Sequence, residues 1–435
     1  MHERTQRAIA RLLFVFCCAV PTFLVLSTVL VTWTPWYTHR QLTRIEYELG
    51  RETGLIVHID DFDQVAPGKY ALQNVRLDDP ETNATVAEIR LVDYYRGERQ
   101  IGMLLHQVTL RSSGLGRAWS LVHDRMLSSP SKTTLPIKVE ARDVSIVSAT
   151  GSLPFNHLKA DVAPEKDGVR LVIEARDRMD PNQPSIRAEI FRDRAGEQPL
   201  SRVVLSTDGT ALPCSAVAEY LPTAAKLGNE ALLTGTLKCT ETPEGWTLDL
   251  GGCSLNNVQL VDLTRSLRYR VVGKADIHMS RCKITPGGWV SAVGEIQATD
   301  LGLPQRVLIR MRDQLGLKLD PQVIASPNGI ECKLAAVHFE IIDETTTLTG
   351  ICHRIRDSLG PGVALYGYGK ELGWTDGQSV PSGQITAFVD PPGRSLGLFN
   401  QVFLPSSPSV SIAADPRAEI RDTAPYSGGP AIRQR

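Results

Sequence analysis

Histidines, cysteines and clustered carboxylates are the side chains of this sequence that could do chemistry. The nine histidines are His2, His39, His58, His106, His123, His157, His278, His338 and His353. None belongs to a His-Glu-x-x-His motif, and no two stand at a metal-ligand interval on one helix. Cys332 with Cys352-His353 comes nearest to a metal set, but neighbours on a strand point to opposite faces and do not converge. Asp60, Asp61 and Asp63, and Asp78, Asp79 and Glu81, are acidic enough for calcium. The calcium-loop pattern is absent, however, and acidic residues at hairpin turns are ordinary.

Gly360-Pro361-Gly362 and Gly367-Tyr368-Gly369-Lys370 lack the Ser or Thr and the helix that a phosphate loop needs, and read as strand glycines at turns or bulges. Trp246 and Trp289 each follow a turn and are expected to pack between structural units, not to stack on a ligand. The expectation is a protein without catalytic, cofactor-binding or metal-binding residues, and not an enzyme.

The elements that carry these residues begin with residues 12–32, LLFVFCCAVPTFLVLSTVLVT, an uncharged run. At 1.5 Å rise per residue it covers about 30 Å, the thickness of the bilayer hydrocarbon. Arg4, Arg7 and Arg11 precede it, and Trp33, Trp36 and Tyr37 follow. Positive residues before and aromatic residues after predict a cytoplasmic N-terminus and an exported body. A cleaved signal peptide would have a shorter apolar region, about 7–15 residues, and a small-x-small cleavage site where VTWTPWY has bulky rings. The domain reading is therefore a cytoplasmic N-terminus at 1–11, a transmembrane anchor helix at 12–34 and a membrane-proximal helix at 35–54. In that last segment Leu42, Ile45 and Leu49 share one face and Gly54 is the stop signal.

Cys17 and Cys18 lie in the span. Cys214, Cys239, Cys253, Cys282, Cys332 and Cys352 lie beyond it, compatible with disulfides in an exported body, although the sequence does not choose their pairing. Lys plus Arg is 47 against 48 for Asp plus Glu, a formal net charge of −1 over 435 residues. Nucleic acid is not an expected partner, because phosphate binding draws on a basic excess.

From Leu55 the apolar residues recur at every second position, as in LIVHIDDF, YALQNVRL, ATVAEIRLV, HQVTLRS, IKVEARDVSIV and VRLVIEAR. Turn signals such as Pro67-Gly68, Asp79-Pro80 and Asp167-Gly168 separate them, which predicts antiparallel strands joined by hairpins. Strands extend to VALYGYGK (363–370) and QITAFVD (384–390). Helical interruptions are expected at 118–127 and 214–221, with a further one near residue 400, and a disordered tail at 405–435. Residues 237–260 align without gaps on 280–303, matching Cys239 to Cys282, Thr242-Pro243 to Thr285-Pro286, Gly245-Trp246 to Gly288-Trp289 and Gly251 to Gly294. One supersecondary unit is used at least twice. The fold expected is mainly β: an elongated, twisted antiparallel β-sheet of repeated hairpin units, with one N-terminal transmembrane helix and a few short helices. It divides into an N-terminal β-rich region at 55–230 and a C-terminal β-repeat region at 231–400.

The order of these parts resembles the AsmA-like family of envelope proteins, the group that includes TamB-type repeating-β-groove proteins. The resemblance rests on the span followed by LTRIEYELGRETG, LIVHIDDF and GKYALQNVRLDDPET, on NHLKADVAPEKDGVRLVIEARD (156–177), and on the phrase from His338 to Gly393. It implies a single-pass protein of the inner membrane with its body in the periplasm, engaged in envelope lipid homeostasis or outer-membrane assembly. Its partners would be the bilayer, through the N-terminal helix, and phospholipid or another envelope protein. A β-groove lined by apolar residues would shield acyl chains; the alternative is an anchored scaffold that binds another envelope protein and carries no lipid.

Overall fold

A computed structural model describes residues 13–32, 35–66, 68–128, 134–149, 151–177, 186–196, 199–218, 222–265, 269–286, 290–342 and 344–382. The strand expected at 384–390, the helix near residue 400 and the tail at 405–435 lie outside the described residues, as does Trp289.

The protein is mainly β, and its strands join into one 23-stranded twisted sheet. The first ten are β1 (Ile56–His58), β2 (Asp61–Ala66), β3 (Lys69–Asp78), β4 (Thr85–Arg96), β5 (Ile101–Arg111), β6 (Ile137–Ser148), β7 (Gly151–Pro164), β8 (Gly168–Asp177), β9 (Ile186–Asp193) and β10 (Leu200–Ser206). Each long member pairs with the next in sequence.

Then follow β11 (Leu212–Pro213), β12 (Leu232–Thr234), β13 (Thr236–Thr242), β14 (Gly245–Asp249), β15 (Cys253–Gln259), β16 (Val272–Ile284), β17 (Val290–Leu303), β18 (Lys318–Leu319) and β19 (Ile330–Ile342). The last four are β20 (Thr345–Gly350), β21 (Val363–Gly367), β22 (Lys370–Trp374) and β23 (Asp376–Pro381). Pairing of β10 with β13 carries the sheet across residue 230 without a break.

The expected sheet was wholly antiparallel; the observed one is mixed. β5 and β6 run parallel, Ile101 beside Ile137 through Arg111 beside Val147. A parallel pair needs a crossover in place of a hairpin. Residues 112–127 supply it, as a 3-10 turn, the α-helix Leu115–Ser120 and the π-helical segment Leu121–Leu127. The helical spacing read at 118–127 is the interior of that crossover. At 214–221 the described part is only a 3-10 helix, Cys214–Val217.

The alternation of the first strands carries one phase slip that a strict period of two does not anticipate. Inward residues run Tyr70, Leu72, then Val75, Leu77 in β3; Met103, Leu105, then Val108, Leu110 in β5; and Val139, Ala141, then Val144, Ile146 in β6. The pairs on either side stay in register, while Asn74, Arg90, Gln107, Asp143 and Asn156 line up across five strands at the one position the registers skip. Asn74, Gln107 and Asp143 adopt φ of 49°, 52° and 54°, the left-handed region, and this moves the side-chain phase by one. The result is a transverse crease, and at its far end β7 and β8 shift register between Phe155 and His157.

The internal repeat is present as two adjacent hairpins. β13 turns into β14 as β16 turns into β17, with Cys239 beside Leu248 and Cys282 beside Ala292. The copies differ at their middle. β17 runs unbroken through Val293-Gly294-Glu295, whereas the first copy breaks at Leu250-Gly251-Gly252, where Gly252 has φ +82°. β14 and β15 both still pair with β16 on either side of that break. Gly294 is required by space, since a Cβ there would lie 2.2 Å from the His278 carbonyl oxygen.

At the N-terminal end, residues 13–32 are helical, with Val15–Ala19 π-helical and Val20–Thr32 α-helical. Among the described residues, no helix is long and apolar enough to cross a membrane. The next helix, Pro35–Thr53, ends where the Gly54 N–H bonds to the Gly50 carbonyl with φ +75° at Gly54, a glycine stop. Its face of Leu42, Ile45 and Leu49 packs on Val57, Leu72, Val75 and Val92.

Candidate functional site

Cross-strand register places the apolar side chains of the inner face in rows. One row runs Ile101–Ile137–Val162–Leu171–Ile190 and continues Val203–Cys239–Leu248–Ile284–Val290. Most of it is buried, since Trp119, Val122, Met126 and Leu127 of the crossover lie over it. A second row, Leu105–Ala141–Leu158–Ala175–Ile186, is largely covered as well and shares a cluster with Leu212 at the entry to the 3-10 helix.

Between them lies Met103–Val139–Ala160–Ile173–Ala188–Leu205–Leu237, and every member is half-buried. This strip is an apolar floor with covered rows on both sides. It crosses seven strands; at about 4.8 Å per strand its length is about 29 Å. One leaflet of a bilayer has hydrocarbon about 15 Å deep, half of the full layer. The strip is long enough to receive an acyl chain lengthwise.

Beside the buried apolar row, one step along the strands, the face turns polar. Ser201 alternates with Val203 and Leu205 and so shares their side, and Glu241 does the same with Cys239 and Leu237. The Ser201 hydroxyl lies 2.6 Å from His123 Nε2, and His123 Nδ1 lies 2.8 Å from Asp124 Oδ1. Arg192 Nη1 donates to Ser201 Oγ at 2.8 Å and to Glu241 Oε2 at 2.7 Å. The Ser201 backbone N–H donates to the same Glu241 oxygen at 2.9 Å. Trp119 stacks on the His123 ring at 4.9 Å, and Trp246 meets it edgewise at 6.4 Å. Trp246 on β14 therefore reaches the crossover.

One placement of hydrogens satisfies the His123 ring: Ser201 donates to Nε2, and Nδ1–H donates to Asp124, while the buried Arg192 Nε has no hydrogen-bond partner. The connectivity is that of a Ser–His–Asp relay, but the exposures run the wrong way for a nucleophile. Ser201 is 1% exposed and its oxygen already accepts from Arg192, whereas the Asp124 side chain is 32% exposed. The cluster locks the crossover to the sheet. Its members are far apart in sequence, and only the polar pair His123-Asp124 inside a helical run hinted at it.

The other residues with chemical types fall elsewhere. Among the described residues, no three His, Cys, Asp or Glu side chains form a group that could hold a metal ion. Cys352-His353 lies in a 3-10 turn and not on a strand, so the strand geometry expected there does not apply. The six cysteines beyond residue 200 are buried free thiols. Burial pushes Cys239 and Cys332 up to about 12 and Cys214, Cys282 and Cys352 up to about 11.

Asp79 organises a turn by accepting from the Glu81 N–H and the Thr82 hydroxyl, and it pairs with Arg117 at 2.9 Å. Burial pushes its pKa up, but those donors outweigh burial and hold it below the ordinary carboxylate value. Tyr368 and Gly369, with φ of 51° and 78°, make the two-residue hairpin turn between β21 and β22, as the glycine-rich reading expected of a turn.

No family model matches the chain, and no curated protein matches it.

Proposed function

We propose that this is an AsmA-like, inner-membrane-anchored protein whose body lies in the periplasm and shields lipid acyl chains on the inner face of its sheet. Its role would lie in envelope lipid homeostasis or outer-membrane assembly, with binding and not catalysis as the activity. The observation that carries the reading is the half-buried strip from Met103 to Leu237, apolar at every position across seven strands. Each CH₂ moved from water onto it is worth about 0.8 kcal/mol, so a whole acyl chain is held without any specific bond.

The anchor is supported by residues 13–30, where Leu13, Phe14, Phe16, Phe23, Leu24 and Leu30 are 59–69% exposed around a helical segment. A helix apolar on all sides suits hydrocarbon and not water. Arg4, Arg7 and Arg11 before it set the orientation proposed.

A phospholipid carrying a photoactivatable diazirine in its acyl chain tests this in membranes that hold the full chain. Photolysis should label peptides containing Met103, Val139, Ala160 and Ile173, and Ala160→Phe, which fills the floor, should cut that labelling at least fivefold. Labelling confined to residues 13–32 would sink the lipid reading and return the choice to an anchored scaffold.

A further inference from the structure

We propose that the crossover Leu115–Leu127 is a lid on the apolar strip, latched by the His123–Ser201 hydrogen bond. The inference rests on the reading of the strip as an acyl-chain site. Three observations carry it. First, the crossover links the parallel strands β5 and β6 and belongs to neither, so it can lift without breaking a ladder bond. Second, its underside is mixed. Trp119, Val122 and Met126 lie on apolar rows, while His123 sets down on the polar row of Arg192, Ser201 and Glu241.

Leu127 is fully buried in the same apolar cluster, so the polar contact of His123 is the exception on this underside. Polar groups exchange protein partners for water on opening, which narrows the gap between closed and open states. Third, the latch falls in a π-helical turn, a geometry rare enough in proteins to mark sites under functional constraint.

The two ends of the lid are held by different contacts. Arg117 pins the first turn to Asp79 at 2.9 Å and also to Glu81, so this end is the pivot. The far end is held by the Ser201 hydroxyl at 2.6 Å, by Arg194 on the Leu127 carbonyl, by Arg125 Nη1 on the Arg51 carbonyl at 3.3 Å and by the buried Leu127 side chain. Lifting that end uncovers the side of the strip formed by Met103, Val139 and Ile173, with which the crossover shares a cluster. Entry of a chain is then controlled at the far end of the crossover, where the His123–Ser201 bond joins it to the sheet.

Hydrogen–deuterium exchange of the full chain in nanodiscs, with pyrene-labelled phosphatidylethanolamine as the probe, tests the proposal. Ser201→Ala should speed exchange of peptides within 115–127 roughly tenfold, about what one buried hydrogen bond holds, and leave the β5–β8 peptides unchanged. Probe uptake should rise several-fold. His123→Gln, which keeps a side-chain hydrogen-bonding group, should fall between wild type and Ser201→Ala, and it is judged by the same criteria if Ser201→Ala loosens the whole sheet. Unchanged exchange in 115–127, or faster exchange with wild-type uptake, overturns the lid. Faster local exchange with no uptake by any form, wild type included, leaves the lid standing and overturns the acyl-chain reading.

Discussion

At the scale of single residues, burial and pairing set how the cysteines and carboxylates behave. Cysteine reacts as the thiolate, and burial holds Cys239 and Cys332 at about 12, so almost none is present near neutral pH. Iodoacetamide at pH 8 should leave both unmodified for hours in the folded protein and modify them within minutes in denaturant, as read by peptide mass spectrometry. Alkylation of either in the native protein would show the burial to be wrong. Asp79 makes the opposite case, its pKa held down by Thr82, the Glu81 N–H and Arg117 against the push of burial. A carboxyl with a folded pKa below its unfolded one stabilises fully above the unfolded value and less as pH falls through the folded one. Asp79→Asn should therefore destabilise by about 1–3 kcal/mol at pH 7 in urea unfolding, with the deficit shrinking below about pH 4. An equal deficit at pH 3 and pH 7 would mean that the charge does not matter.

At the scale of elements, the crease and the repeat decide which way side chains face. Because a strand alternates with a period of two, an uncompensated one-residue change turns every later side chain over. Gln107→Val, whose β-branched side chain resists the left-handed backbone held there at φ 52°, should push β5 toward strict alternation, swing Val108 and Leu110 outward and leave a chain that limited proteolysis cuts between β5 and β8. A Gln107→Val protein that remained protease-resistant would show that the left-handed residue is not what sets the phase. In the repeat, Gly294→Ala drives a Cβ toward the His278 carbonyl and the Phe339 ring, and should cost several degrees of melting temperature. The matched Gly251 has its nearest non-neighbour atom at 3.1 Å, a side-chain oxygen of Asp249, so Gly251→Ala should be much milder. The repeat's alignment was legible from Cys, Pro and Gly in one frame. That one of its glycines is obligatory and the other is not was invisible, since it depends on how near the next strand lies.

For the whole molecule, the acyl-chain site proposed on the inner strip would be a property of register, with no residue special in itself. Ile173→Asp places a carboxylate among Ala160, Ala188 and the neighbouring rows, and burying a charge without a partner is costly. That variant should lose diazirine-lipid labelling of the sheet at least as completely as Ala160→Phe, with the full chain's circular dichroism unchanged; retained labelling would move the site elsewhere. The sequence alone determined the β class, the strands' turn punctuation, the apolar run at 12–32, the helix ended by Gly54 and the hairpin repeat. All of these follow from local periodicity and from residues whose backbone preferences act within a few positions. Only the tertiary structure decided that β5 and β6 are parallel, that five strands slip phase at one line, and that His123, Arg192, Ser201 and Glu241 meet. Such facts depend on which strands become neighbours and in what register. That choice is made by the summed burial of many distant side chains, and no short stretch of sequence carries it.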